Sequence, residues 1–147
     1  MKLEIMDERY LLYGTLFSLS NRIQTIGDKE LKDITIKQHF LMIGLGMFKN
    51  PPTLREMADL IGCSYQNVKR MAEHLQKEGY LDIVKDQNDK RKLLLVTTGK
   101  IERQAEKSRE VTVNFMENLY KDIHKQELEI TLKTLIKMDK NIGGIIE

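Results

Sequence analysis

With 147 residues, 41% hydrophobic and 31% charged, the chain is long enough for one ordinary domain with a real core, and its composition excludes disorder. A net charge of +2 is too small to announce a nucleic-acid partner by itself, and one cysteine excludes an internal disulfide, as expected in a reducing cytoplasm. The opening MKLEIMDER lacks the basic-then-apolar order of a signal peptide, and the apolar stretch 40–48 is too short to span a bilayer, so a cytoplasmic protein with no membrane partner is expected. In chain order, Leu12, Leu16, Leu19, Ile23 and Ile26 recur at steps of four and three. That spacing predicts an amphipathic helix from about Asp7 to Ile26, with Gly27 as its end. Thr35 and Gln38 form a Thr-x-x-Gln capping box opening a second helix through about Phe48, and Pro51 and Pro52 forbid its continuation.

The next segment, TLREMADLIGCSYQNVKRMAEHLQK, reads as two short helices across a three-residue turn. Thr53 and Glu56 make a second capping box, and Met57, Ala58 and Ile61 share one apolar face. Gly62 stands where the chain needs positive φ, and Ser64 offers a cap oxygen to the next helix. Val68, Met71, Ala72 and Leu75 line the buried face of that helix. Cys63, small and apolar beside the turn, is expected to be a buried structural thiol rather than a redox sensor. This pattern is a helix-turn-helix, which reads duplex DNA.

After Gly79 the pattern changes. Tyr80–Val84 and Leu93–Thr97 are β-prone runs around the charged turn DQNDK, which predicts a hairpin. Thr98 is placed to cap a long helix from about Gly99 to Ile123, carrying Ile101, Ala105, Val111, Phe115 and Leu119. A last helix from about Lys125 to Ile142 carries Leu128, Leu132 and Leu135, and Gly143 and Gly144 end it. Between Ser64 and Lys100 eight bases face five acids, a surplus of three, which leaves the rest of the chain at −1. The positive surplus therefore coincides with the segment expected to meet phosphates.

These motifs, in this order, resemble the MarR-type winged helix-turn-helix regulators over nearly the whole chain. ITIKQHFLMI resembles the family's Leu-Thr-x-x-Gln helix start, LIGCSYQNVKRMAEHLQKEGYL its recognition helix, and DQNDKRKLLLVTTGK its Asp-x-x-Asp-x-Arg wing. VTTGK departs from the family pattern by placing its glycine one residue early, so Thr97 and Thr98 both remain candidates for the cap. The resemblance implies a mainly α fold with a small β-hairpin wing, in a single domain over 1–147. The winged helix-turn-helix occupies 35–97, with the recognition helix at 64–77 and the wing at 80–97. Segments 1–34 and 98–147 would supply dimerisation helices, so a homodimer is implied.

The expected DNA contacts follow from faces and residue types. Tyr65, Gln66, Asn67, Lys69, Arg70 and His74 lie off the apolar face of the recognition helix, where Gln and Asn suit adenine and Arg or Lys suits guanine. Thr53 and Ser64, at helix N-termini, suit phosphates. The resemblance implies that Arg91 of the wing enters the minor groove. Asp89 is suited to orient it, and Lys90 and Lys92 would add phosphate contacts. The family often binds small aromatic acids between the dimerisation helices and the winged helix. Tyr10, Tyr13, Phe17, His39, Phe40, Met42 and Met47 are the candidates to line such a cleft for a small-molecule effector, although such residues are more often plain core.

No enzyme, cofactor or metal is expected. His39, His74 and His124 are scattered, Gly44-Leu45-Gly46 lacks a nucleotide fingerprint, and DQNDK lacks the central glycine and closing glutamate of a calcium loop. Two readings remain: a dimeric, sequence-specific DNA-binding regulator, most simply a ligand-released repressor, or a winged-helix module for protein contacts. Polar Gln66, Asn67, Lys69 and Arg70 favour the first, because a protein-contact face would expose apolar anchors.

Overall fold

A computed structural model describes residues 7–145; residues 1–6 and 146–147, the outer ends of the two expected dimerisation segments, lie outside the described residues. Six helices and one hairpin follow in order: α1 Glu8–Leu31, α2 Ile36–Leu45, α3 Leu54–Ile61, α4 Tyr65–Lys77, β1 Leu81–Lys85, β2 Leu93–Thr97, α5 Lys100–Leu119 and α6 Lys125–Asn141. The fold is thus the mainly helical winged architecture expected. No helix among the described residues is long and apolar enough to cross a membrane.

Local chemistry sets most helix ends. At α2 the Thr35 hydroxyl accepts the Gln38 N–H, while the Gln38 side chain accepts the Thr35 N–H at 2.9 Å. At α3 the Thr53 hydroxyl accepts the Glu56 N–H at 3.1 Å, and the Glu56 carboxylate accepts the Thr53 N–H at 2.7 Å. Each box satisfies two backbone donors that a bare helix start would leave unpaired. Thr53→Ala is therefore expected to cost about 1 kcal/mol. In a domain of this size that lowers the melting temperature by about 2–4 °C, and an unchanged melting curve would show the box to be idle.

Three helix ends differ from the sequence expectation. Gly27 does not end α1, which runs on to Leu31. Gly27 is buried against α2, where a Cβ would stand 2.8–3.0 Å from the Ile36 side chain. The glycine allows two helices to approach, and the first helix continues beneath the second. α2 stops at Leu45 rather than near Phe48, and the Gly46 N–H turns back onto the carbonyls of Met42 and Ile43. Its Gly44 is again a close-approach residue, with Met57 Cε at 2.9 Å from a built Cβ. α5 ends at Leu119, four residues before Ile123, in a turn where Asp122 takes φ +60°.

Neither Thr97 nor Thr98 is the α5 cap residue, which is Gly99. The Thr98 hydroxyl instead donates to the Gly79 carbonyl at 2.7 Å and accepts the Lys100 N–H at 3.3 Å. It thereby ties the start of α5 to the end of α4.

The core is centred on the winged helix. Leu41, Leu54, Met57, Val68, Leu75, Leu81 and Leu95 are almost completely buried, joined by Leu31 and Ile34 from the α1–α2 corner. The outer helices contribute little to it: α6 buries no residue, and α5 buries only Gln104 and Ser108. Large apolar side chains remain exposed on α1 (Tyr10, Tyr13, Phe17) and on α6 (Ile130, Leu132). Polar links tie α5 to its neighbours. The buried Tyr80 hydroxyl donates to Gln104 Oε1 at 3.2 Å, Lys100 Nζ donates to the Glu78 carbonyl, and Lys107 Nζ pairs with Asp33 of the α1–α2 connection at 2.6 Å.

Candidate nucleic-acid interface

The turn between α3 and α4 is built as its sequence demands. Gly62 takes φ +66°, and the Cys63 N–H bonds back to the Ala58 carbonyl at 3.1 Å. The Ser64 hydroxyl accepts the Asn67 N–H at 3.3 Å and starts α4. Cys63 itself is exposed, not buried. The buried positions of this turn are taken by Ala58 of α3 and, in part, by Ile61, and the thiol stays at the surface.

Helix α4 buries Val68, Ala72 and Leu75 and half-buries Met71, which leaves its other face polar. Gln66, Asn67, Arg70 and His74 are exposed together on that face. Lys69 is half-buried, with its ammonium 3.8 Å from Glu73 one turn on. Such a surface pair is worth little and is readily exchanged for a phosphate. Tyr65 is also half-buried, and its ring lies under the Arg55 guanidinium at 5.7 Å.

The wing is a two-stranded antiparallel ribbon pairing Leu81 with Thr97 through Lys85 with Leu93. The first strand begins one residue later than its sequence suggests, because Tyr80 turns into the core. A segment just ahead of α3 anchors the ribbon: the Pro52 carbonyl accepts the Leu95 N–H at 2.8 Å, and Thr53 bridges Leu94. At the tip, the Asp86 carboxylate accepts the N–H groups of Asn88 and Asp89 at 2.7 and 2.8 Å. The Asp89 bond, then the Asn88 bond, hold the Asp86 carboxyl below its ordinary pKa. Asp89 accepts both the backbone N–H and the Nε of Arg91, at 3.1 and 3.3 Å. The Arg91 side chain is 92% exposed, so the pair holds a guanidinium that projects into solvent.

Thr53, Tyr65, Arg91 and Lys92 meet around one groove between the start of α3, the start of α4 and the wing, with a volume of about 490 Å³. Arg55 and Glu56 also line it, with Leu54 and Leu93 as its apolar members. Sequence reasoning missed Arg55, although its place one helical face away from the α3 apolar stripe was readable. Asp86 was missed as well, and its spacing to Asn88 and Asp89 was the available signal. The Glu56 carboxyl is committed to Thr53, whose N–H and then hydroxyl hold its pKa below the ordinary value. Three cations therefore face one internally bonded carboxylate, and the groove is positive. The Thr53 hydroxyl is taken up by its cap, donating to the Glu56 carboxylate at 2.8 Å and accepting the Glu56 N–H at 3.1 Å.

Within the single chain the seven residues proposed for an effector cleft lie in different surroundings. Tyr10, Tyr13 and Phe17 lie exposed on the outer half of α1, where Tyr13 and Phe17 meet edge to face at 5.0 Å. Met42 is core, and Met47 is exposed beyond α2. His39 and Phe40 line a cavity between α1, α2 and α5 that measures about 260 Å³. No group of three or more His, Cys, Asp or Glu side chains among the described residues is placed to hold a metal ion.

No protein-family model matches the sequence, and no curated protein aligns with it. Solved structures do match. A MarR protein from Peptoclostridium difficile superposes with a TM-score of 0.74 at 26% identity, over 97% of this chain and 92% of that one. MepR of S. aureus, in complex with DNA, gives 0.75 at 18% identity, over 93% and 99%. The organohalide-sensing transcriptional regulator RdhR, in its 2,4-dichlorophenol-bound form, gives 0.79 at 17% identity, over 96% and 85%.

Proposed function

This chain is a winged helix-turn-helix protein of the MarR type, and from that premise we propose that it is a homodimeric, sequence-specific regulator of transcription that binds an inverted repeat in duplex DNA. The observation that carries the reading is one continuous polar surface. Exposed Gln66, Asn67, Arg70 and His74 on α4 run into the positive groove at Arg55 and Tyr65, and from there to Arg91 and Lys92 of the wing. A helix face of that composition suits the major groove, and an exposed wing arginine suits the minor groove beside it. MepR was solved on DNA with this fold, which supports the same use here.

Dimerisation is supported by what the single chain leaves uncovered. Tyr10, Tyr13 and Phe17 of α1 and Ile130 and Leu132 of α6 are exposed at 60–67%, while α6 buries nothing. Faces of this kind are stable in water when a second copy covers them. Two recognition helices would then be held about one DNA turn apart, roughly 34–36 Å. A repressor released by a small molecule is the simplest regulatory form, and the dichlorophenol-bound RdhR supports a ligand role for this fold. A protein-contact module is less well supported, because every exposed residue of α4 is polar.

Selection of binding sites from random duplex DNA, repeated at several salt concentrations, tests the reading. An enriched inverted repeat is expected, with a dimer in sedimentation. Weak binding without any enriched sequence, driven wholly by low salt, would sink it.

A further inference from the structure

The wing is held at both edges of one rung. Register pairs Ile83 of β1 with Leu95 of β2. The Thr98 N–H on the Tyr80 carbonyl and the Asp86 N–H on the Lys92 carbonyl place the even-numbered residues in the ladder. Alternation then turns the N–H groups of Ile83 and Leu95 outward, to opposite edges of the ribbon. Each finds an acceptor elsewhere in the winged helix. Leu95 donates to the Pro52 carbonyl at 2.8 Å, and Ile83 donates to Gln76 Oε1 at 2.5 Å. Gln76 belongs to the last turn of α4, and its bond is the only hydrogen bond between α4 and a wing strand among the described residues.

We infer, on the footing of the DNA-binding function proposed above, that Gln76 is a positioning residue for the wing. Its bond to Ile83 fixes the pitch of the ribbon against the recognition helix, and so the offset between the bases met by α4 and the minor-groove stretch met by Arg91. Beyond the rung little else holds the ribbon. No side chain from Val84 to Leu94 is buried, and of these Leu93 packs against the core. Arg91 stands up to about 13 Å from the rung, so a tilt of about 10° there carries the guanidinium about 2 Å. Hydrogen bonds tolerate only a few tenths of an ångström, so that displacement is enough to lose its contacts. Gln76 is itself exposed, which makes its bond an orienting contact and not a member of the core.

Hydroxyl-radical footprinting of the full-length protein on its selected DNA site, at saturating protein, tests the assignment. Gln76→Met keeps length and helix propensity but removes the amide oxygen, and Gln76→Glu keeps an acceptor. Gln76→Met is expected to lower affinity about two- to tenfold, to blur the minor-groove protection by the wing, and to leave the base preferences of α4 intact. Gln76→Glu is expected to restore the sharp protection, whatever its added charge does to affinity. In an Arg91→Ala background Gln76→Met is expected to cost nothing further, because it acts through Arg91. Unchanged protection in Gln76→Met, blurring that Gln76→Glu does not repair, or losses that add to those of Arg91→Ala would overturn the assignment. Nitrogen-15 relaxation of the tip amides Asn88 and Asp89, without DNA, separates it from the DNA-binding reading. A tip equally ordered in wild type and Gln76→Met overturns the role of Gln76 even where DNA is bound. A tip loosened by Gln76→Met, in a protein whose wild type selects no sequence, overturns the DNA-binding reading alone.

Discussion

Replacing Leu75 with alanine is expected to lower the unfolding free energy by about 2–5 kcal/mol, the largest effect foreseen for any single side chain in this protein. Leu75 is completely buried on the inner face of α4, beside Val68 and Ala72 and among Leu54, Met57, Leu81 and Leu95. It thus sits in the core shared by α4, α3 and the wing. Truncation removes the transfer energy of the lost carbons and leaves a cavity that packed neighbours cannot close. A domain of this kind has only about 5–15 kcal/mol in total, so the variant sits near the threshold of folding. Urea denaturation at fixed protein concentration measures the change, with concentration held constant because dimerisation would add to apparent stability. Leu75→Met, which nearly conserves volume, is expected to cost less than about 1.5 kcal/mol. Equal losses from the two variants would mean that packing at this site is not what holds α4.

The second large effect concerns binding. Arg91→Ala is expected to weaken duplex DNA binding about five- to 150-fold, equivalent to about 1–3 kcal/mol. The guanidinium stands 92% exposed beyond the wing with its Nε on Asp89, so its removal takes away a positioned charge and leaves the core untouched. Arg70→Ala is expected to cost a similar amount by a different route, because Arg70 projects from the polar face of α4. Loss of preference at one base pair assigns Arg70 to base reading. A uniform loss, with the salt slope reduced by about one, assigns it to the phosphate backbone. Asp89→Asn is expected to fall between wild type and Arg91→Ala, since it frees the guanidinium without deleting it. Arg91→Ala with unaltered affinity on the selected site would remove the wing from the binding surface.

Features set by a few neighbouring residues were legible in the sequence. Both threonine capping boxes, the left-handed Gly62, the Ser64 cap and the Asp89–Arg91 pair depend on atoms within about three residues of each other, and each has one favourable local geometry. The hairpin was readable for the same reason, apart from Tyr80, which the core draws out of the strand. Composition and apolar spacing were enough for the polar and buried faces of α4.

Only the tertiary structure decided the rest, because the deciding contacts come from residues distant along the chain. Gly27 looks like a helix stop until Ile36 is seen packed against it, and a close approach has no signature in the residue itself. Cys63 looks like filler until Ala58 and Ile61 are seen packed in the core while the thiol lies exposed. Aromatic and methionine residues are interchangeable in a periodic pattern, so the sequence could not separate core Met42 from exposed Tyr13 or from cavity-lining Phe40. Arg55 joins Tyr65 and Arg91 only once α3, α4 and the wing converge. The sequence by itself determined the helix-turn-helix, its wing and the residues that face outward, because caps, turns and periodicity are local. Helix packing alone determined the groove that unites them and the cavity between α1, α2 and α5, because both are spaces between elements that no single segment encodes.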